Sequence, residues 1–361
     1  MRKELKVAIV YFWDNATDLS APVAKLILDQ ATELQKNGYT VEVFSKDDLN
    51  DTVFHSINYR FFSENKFINR VFNKWFKLNV FTFNQLIKKL NHFNADIIHI
   101  HNRQGFVDTI AKKIKNSKTK FVVHYHRNFE YPVIPEKAET LVAVSQSTKN
   151  WIEDKTHKDD RFHVIQNCVF SEVLKLAETA KPIKARKNDI KLLYAGGYQE
   201  HKGYFDLINA LKYIDKDFQL SICGPKTDQI KQIDDKRVKV IGNLKFKAFC
   251  NIMANSDIVI FPSKKEPFGL VTLEALAFNN ILVAANSGGL DEFLNEEVAF
   301  LHQPSNPQDL AIKINEAITL LSNESDLNNY LTNTNKFIKL FNPKHMVDQL
   351  DKLYQKLISD T

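Results

Sequence analysis

Short apolar runs of strand length alternate with stretches of helical spacing along most of the chain. Leu5–Phe12 (LKVAIVYF) is the first run, and Val23–Lys36 follows with apolar residues at helical intervals before Gly38. Tyr39–Phe44 alternates apolar and polar positions, as a strand does. Asp96–His101 (DIIHIH), Phe121–His126 (FVVHYH) and Leu141–Val144 (LVAV) are further strands, and Ser145 is placed to cap a helix through about Glu153. The pattern breaks at 171–189 (SEVLKLAETAKPIKARKND), a polar stretch with Pro182 that predicts a linker. It then restarts with strands Lys191–Ala195, Gln219–Cys223, Asp257–Phe261 and Ile281–Ala284. Helices are predicted over Tyr204–Tyr213, from about Gly269, from near Gly289, and through most of 306–358 with a break at Pro343. Strand–helix alternation implies parallel, doubly wound sheets. The expected architecture is therefore α/β: two doubly wound domains, 1–170 and 190–342, joined by 171–189 and facing a cleft. In such sheets ligands sit beyond the carboxyl ends of strands, so segments that follow strands are the place to look for chemistry.

Composition narrows the class. Of 361 residues, 44% are apolar and 25% charged, which suits a globular chain rather than a disordered one. No run of 18 apolar residues exists to span a membrane, and Met1–Leu5 leads into a strand without a signal-peptide core. Cys168, Cys223 and Cys250 are far apart and lack metal spacing, which fits a reducing cytoplasm. The net charge of +6 is uneven: residues 51–150 hold 16 Lys/Arg against 7 Asp/Glu. Within 66–80, Lys66, Arg70, Lys74 and Lys77 share one helical face, with Ile68, Val71, Phe72, Trp75 and Phe76 opposite. This amphipathic helix either packs on the domain core or meets an anionic membrane surface. No nucleic-acid-binding module accompanies the basic patch, so nucleic acid is not an expected partner.

Glycine is scarce, ten in all, yet seven lie after predicted strands of the second half: Gly196, Gly197, Gly203, Gly224, Gly269, Gly288 and Gly289. Such positions let backbone turn tightly or approach a ligand. Tyr194–Gly203 (YAGGYQEHKG) runs from strand to glycine turn to a helix start carrying Lys202, a combination suited to phosphate. Neither the P-loop order nor G-x-G-x-x-G follows any strand, which weighs against nucleotide hydrolases and nicotinamide dehydrogenases. Phe261–Ala275 (FPSKKEPFGLVTLEA) sets Glu266 in a post-strand loop and Glu274 in the next helix. Phe268, Gly269 and Leu270 offer backbone N–H groups at that helix's start. Glu274 sits among Leu273, Ala275, Leu276 and Ala277, and an inward carboxylate needs a partner such as a sugar or ribose hydroxyl pair.

The segment EPFGLVTLEALAFNNILVAANSGGLDEF resembles the E-x7-E region of retaining GT-B glycosyltransferases, family 4 in particular. AGGYQEHKG, ADIIHIHN, VSQSTKNWI and VIQNCVF resemble other family segments in the same order. The resemblance implies two Rossmann-like domains, with 343–361 returning to the first. It implies transfer of a sugar from a nucleoside-diphosphate donor to an acceptor hydroxyl, with retention and without metal or other cofactor. It assigns Lys202 to the diphosphate, Glu266 to the transferred sugar with the Phe268, Gly269 and Leu270 backbone, and Glu274 to the ribose. Gly196 and Gly197 form the donor turn. His126 matches the first-domain histidine that approaches the donor sugar, with His124 as the neighbouring alternative. The expected acceptor is a glycan or lipid-linked glycan of bacterial surface polysaccharide assembly, with the protein cytoplasmic and the 66–80 helix its candidate contact with the membrane.

Two positions depart from the family. Gly197 stands where arginine is usual, so Lys264, Lys265 or a first-domain residue is expected to supply the missing cation, and Gly197→Arg is expected to be tolerated. Asp14–Pro22 lacks the paired glycines usual in the first loop. Two other readings stand beside active transfer: a non-catalytic partner of another transferase, favoured by the missing arginine, and a nucleotide-sugar epimerase on the same architecture.

Overall fold

The computed structural model describes residues 4–12, 16–19, 21–47, 49–63, 83–230 and 233–359. The basic helix expected over 66–80 lies outside these residues. The chain forms two compact units, Met1–Gln166 with Met346–Thr361, and Asn167–His345.

The first unit carries an eight-stranded sheet in the order β3-β4-β2-β1-β5-β6-β7-β8. Its strands are β1 (Lys6–Tyr11), β2 (Thr40–Lys46), β3 (Thr52–Phe54), β4 (Ile57–Phe62), β5 (Ile97–His101), β6 (Lys120–Tyr125), β7 (Thr140–Ala143) and β8 (Phe162–Val164). All neighbours are parallel except β3 and β4, a tight antiparallel hairpin. That hairpin and β8 were not foreseen; β3 and β8, with three residues each, carry too little periodicity to read. β5 is buried along its whole length, and β1 is buried after its first residue, as strands covered on both faces are. Ala8, Val10, Ile98, Ile100 and Val123 pack with Phe44, Leu86 and Leu90 in one apolar core. Helix Pro22–Lys36 opens with proline at its first position, where no N–H is needed. Ser145 caps the Gln146–Lys155 helix as expected, its Oγ accepting from Thr148 N at 2.9 Å.

The second unit carries a wholly parallel six-stranded sheet in the order β11-β10-β9-β12-β13-β14. Its strands are β9 (Ile190–Tyr194), β10 (Phe218–Cys223), β11 (Val238–Gly242), β12 (Ile258–Phe261), β13 (Ile281–Ala285) and β14 (Phe300–His302). Both sheets grow outward in two directions from a central pair, β1/β5 and β9/β12. This is the Rossmann-like pattern, with a topological switch point at each pair.

Two expectations need correction. The stretch 171–189 is not an extended linker throughout. Ser171–Glu178 is a helix packed against helices Phe246–Ala254 and Leu270–Ala277, because Val173 is a fully buried apolar anchor. Its polar look came from the exposed face of an amphipathic turn. Nor does a helix start near Gly289. The chain makes successive turns there, such as Leu294 N to Leu290 O at 2.9 Å and Val298 N to Asn295 O at 3.2 Å, and these set Phe293 against Phe268.

The second sheet is registered at its strand starts by Asp257. Its carboxylate accepts from Lys191 N at 2.8 Å and from Arg186 Nη2, while its backbone N–H donates to Lys191 O at 2.8 Å. Its backbone oxygen accepts from Ile281 N at 2.9 Å. One residue therefore joins β9, β12 and β13, and it holds the end of the 171–189 stretch through Arg186. Asp257→Ala leaves a buried N–H and a guanidinium without their acceptor. The expected cost is about 3 kcal/mol in chemical denaturation of the purified protein, against less than about 1 kcal/mol for an exposed pair such as Lys313–Glu316.

Candidate active site

The switch point of the second sheet lies between the ends of β9 and β12, and the two motifs singled out in the sequence follow those strands. After β9 the chain turns through Gly196 and Gly197 and enters a short 3-10 turn, Glu200–Lys202. After β12 it runs through Pro262–Pro267 to Gly269, the cap of the helix Leu270–Ala277. The two segments meet in an ion pair, Lys202 Nζ to Glu266 Oε2 at 2.6 Å. Glu266 is nearly buried, its side chain 10% exposed, while Lys202 keeps 25% exposure and lies 5.6 Å from the Phe261 ring centroid.

The carboxylate is held from several sides. Ser263 Oγ lies 3.2 Å from Glu266 Oε2, and Ser263 O accepts from Ser287 Oγ at 2.5 Å. Gly289 N donates to Glu266 O at 2.7 Å, and Lys264 N donates to His201 O at 2.9 Å. The loops after β9, β12 and β13 are thereby stitched together, with Lys202 and Glu266 facing each other in the middle. Sequence reading gave these two residues separate roles and missed the part of Ser263 and the Lys202–Glu266 contact, which spans 64 positions of the chain and leaves no local signal.

Phe268 is buried, its ring stacked on Phe293 at 4.8 Å, so its backbone rather than its side chain is presented at the helix start. Gly269 and Leu270 follow at the cap and first turn, where the leading N–H groups have no intrahelical acceptor. Glu274 is buried on the next turn. Gly196 and Gly197 lie beside the loop after β10: Gly197 N donates to Cys223 O at 3.0 Å and Tyr198 N to Pro225 O at 2.9 Å.

That packing overturns one expectation. Gly197 has φ +64°, and a Cβ there would lie 2.0 Å from Pro225 O. Arginine cannot be accommodated, because the obstacle is backbone. Lys264, offered as a replacement cation, is paired with Asp206 Oδ2 at 3.4 Å.

His126 lies in the first unit, just past β6, and belongs to a column of imidazoles. His99 and His101 on β5, with His124 and His126 at the end of β6, share one sheet face because both pairs are two residues apart and His101 is in register with His124. His101 Nδ1 and His126 Nε2 are 2.8 Å apart, and the His124 and His126 rings stack at 4.1 Å. His99, His101 and His124 are fully buried. Burial, and then the charge each would impose on the others, hold all three well below the ordinary imidazole pKa. Both nitrogens of His124 and the Nε2 atoms of His99 and His101 make no hydrogen bond to the protein. One nitrogen from each of His99, His101 and His124 falls within 4.8 Å of the others. Their geometry nonetheless suits stacking better than metal ligation. The His99 and His101 planes are only 9° apart, whereas a ligated ion must lie in the plane of each ring at ~2.0–2.1 Å from nitrogen.

Comparison with known proteins gives this geometry a family. Residues 23–172 match Glycosyltransferase Family 4, and residues 177–336 match Glycosyl transferases group 1. An uncharacterized glycosyltransferase of Methanocaldococcus jannaschii is 25% identical over 86% of this chain and 91% of its own. The lipopolysaccharide 1,2-N-acetylglucosaminetransferase of Salmonella typhimurium is 25% identical over 70% of this chain and 72% of its own. The crystal structure of Anabaena HepE in complex with UDP-glucose superposes with a TM-score of 0.71 at 18% identity, covering 98% of this chain and 100% of that one. The chain is a glycosyltransferase of the GT-B fold, with a Family 4 segment followed by a group 1 segment.

Gly197→Ala, the smallest test of the turn, is expected to cost more than about 2 kcal/mol of stability, and Gly197→Arg at least as much. Thermal melts of both variants read this directly. Unchanged melting of Gly197→Arg would contradict the contact with Pro225.

The histidine column makes the first unit acid-sensitive. Below pH ~6.5 an unfolded chain takes up protons that the buried rings refuse, so stability is intact above that pH and lost as pH falls through it. Each ring contributes ~1.4 kcal/mol per pH unit, so three give about 4. Denaturant unfolding of the first unit between pH 7.5 and 5 should show this slope, and His124→Phe should reduce it by roughly a third.

Proposed function

We propose that the protein transfers a sugar from a nucleoside-diphosphate sugar to an acceptor hydroxyl with retention of anomeric configuration, using no metal. The observation that carries this reading is the Lys202–Glu266 pair at the second switch point, set between a glycine turn and a helix start. A diphosphate needs cations and unpaired N–H groups, and a sugar ring needs an acceptor for its hydroxyls. The pair supplies one of each within a few ångströms.

Lys202 binds the diphosphate and steadies the charge that grows as the anomeric C–O bond breaks and its electron pair passes to the phosphate oxygen. The acceptor oxygen then forms the new bond at the same face of the anomeric carbon, and its proton goes to the departing phosphate. Glu266 accepts hydroxyls of the transferred sugar, the Phe268, Gly269 and Leu270 backbone adds N–H donors, and Glu274 takes the ribose hydroxyls. His126, its Nε2 engaged by His101, is assigned to the donor sugar on the family resemblance. The UDP-glucose bound by Anabaena HepE supports a nucleotide-sugar donor. The Salmonella lipopolysaccharide enzyme supports a glycan or lipid-linked acceptor in surface polysaccharide assembly.

A panel of nucleotide sugars read by thermal shift tests the donor, since a ligand at 100 times its Kd adds about 2.7 kcal/mol. Transfer to glycan acceptors, with the product anomer read by NMR, tests the chemistry. Donor binding without turnover on any acceptor would favour a non-catalytic partner, and no stabilisation by any donor would overturn the reading.

The ion pair sharpens the obvious variant. Lys202→Ala is expected to lower transfer by roughly 10- to 150-fold, the worth of a charge-assisted hydrogen bond of ~1.5–3 kcal/mol. It also strands Glu266, so the melting temperature should fall. Adding Glu266→Gln should restore melting, which separates the structural effect of stranding Glu266 from the loss of transfer seen in Lys202→Ala alone.

A further inference from the structure

Lys202 alone is a poor diphosphate site. Its charge is already offset by Glu266 at 2.6 Å, so the pair presents almost no net charge to an anion. Lys264 is turned to Asp206. A second cation is needed, and the packing around Gly197 shows where it comes from.

The volume that a side chain at Gly197 would fill is occupied by the loop after β10, whose Pro225 carbonyl closes onto the glycine turn. That loop is fixed in place. Pro225 O accepts from Tyr198 N at 2.9 Å, Gly224 O accepts from Thr227 Oγ1 at 3.0 Å, and Lys226 O accepts from Gln229 N at 3.0 Å. The residue after Pro225 is Lys226, held in the left-handed region at φ +59° and ψ +18°. Lys226 is exposed, and among the described residues its ammonium makes no ion pair or hydrogen bond. It lies near enough to the turn after β9 to act on His201, whose pKa is lowered by burial first and then by Lys202, is raised by Glu266, and is lowered least by Lys226.

We propose that Lys226 is the second cation of the donor site and binds the phosphates of the nucleoside diphosphate. The turn after β9 thus gives up a side chain so that the β10 loop can close on it, and that loop brings a cation of its own. This inference rests on the donor reading above and names a residue that reading does not include. Lysine there acts as a point charge on a flexible stem, without the fixed fork of a guanidinium.

The test is titration calorimetry of the full chain with UDP, GDP and ADP, followed by the nucleoside of whichever diphosphate binds. Lys226→Gln is expected to weaken the diphosphate about tenfold and leave the nucleoside unchanged. Lys226→Arg should keep most of the affinity, and Lys236→Gln, an exposed lysine elsewhere in the unit, should have no effect. Higher salt should weaken the wild type more than Lys226→Gln. The residue is exposed, so melting temperatures should match, and Lys226→Asn, which suits a left-handed position, provides a second variant if Gln perturbs the loop. If no diphosphate binds the wild type, the donor reading itself fails. If the wild type binds and Lys226→Gln binds equally well, or loses as much for the nucleoside, the assignment of Lys226 is wrong while the donor reading stands.

Discussion

The second unit of this protein depends on backbone lying directly against backbone. The loops that follow β9, β10, β12 and β13 meet at points where backbone touches backbone. A Cβ on Gly197 would lie 2.0 Å from Pro225 O, one on Gly203 2.0 Å from Pro262 O, and one on Gly288 2.5 Å from Glu266 O. A chain with ten glycines has spent several where only hydrogen fits. In the sequence these residues suggested either tight turns or room for a ligand. The structure shows that what approaches them is the neighbouring loop. Their contribution to the site is indirect: they bring Lys202, Glu266 and the Leu270–Ala277 helix start within reach of one another.

That close assembly decides how charge is arranged. Glu266 is nearly buried and would be costly to ionise alone, so it is matched by Lys202 and supported by Ser263. A matched pair keeps the site stable without a ligand but leaves little field to attract one. A cation free of such a partner is therefore useful at the rim, where solvation keeps it cheap and flexibility lets it reach a phosphate. Lys226 meets both conditions because it follows the carbonyl that seals the glycine turn.

What was legible in the sequence follows from the range of each interaction. The alternation of strand and helix, the Ser145 cap and the motif residues beyond β9 and β12 are local patterns, and they could be read. The Lys202–Glu266 contact, the Asp257 junction and the fit of Gly197 against Pro225 join residues far apart in the chain, and no local pattern announces them. The linker was misread for a related reason. One buried residue, Val173, holds the Ser171–Glu178 helix in place, and a single apolar position among charges does not stand out. The histidine column was half visible: HIH and HYH each place two rings on one strand face, but only the pairing of β5 with β6 brings the four together.

The column also links the two ends of the first unit's chain. Tyr354, on the final helix Pro343–Ser359, lies 2.5 Å through its hydroxyl from His99 Nδ1, and Gln30 Nε2 lies 3.0 Å from the same nitrogen. Gln30 Nε2 also donates to the Tyr354 hydroxyl at 3.2 Å, so residues 30, 99 and 354 form one buried polar cluster. Burial holds His99 well below the ordinary imidazole pKa, and Tyr354, on the last turns of the chain, packs edge-on against that ring. The same chain of contacts ends at His126, whose Nε2 is engaged by His101. His126 is thus held by neighbours that burial keeps from taking up a proton, at one end of a column whose other end touches the final helix.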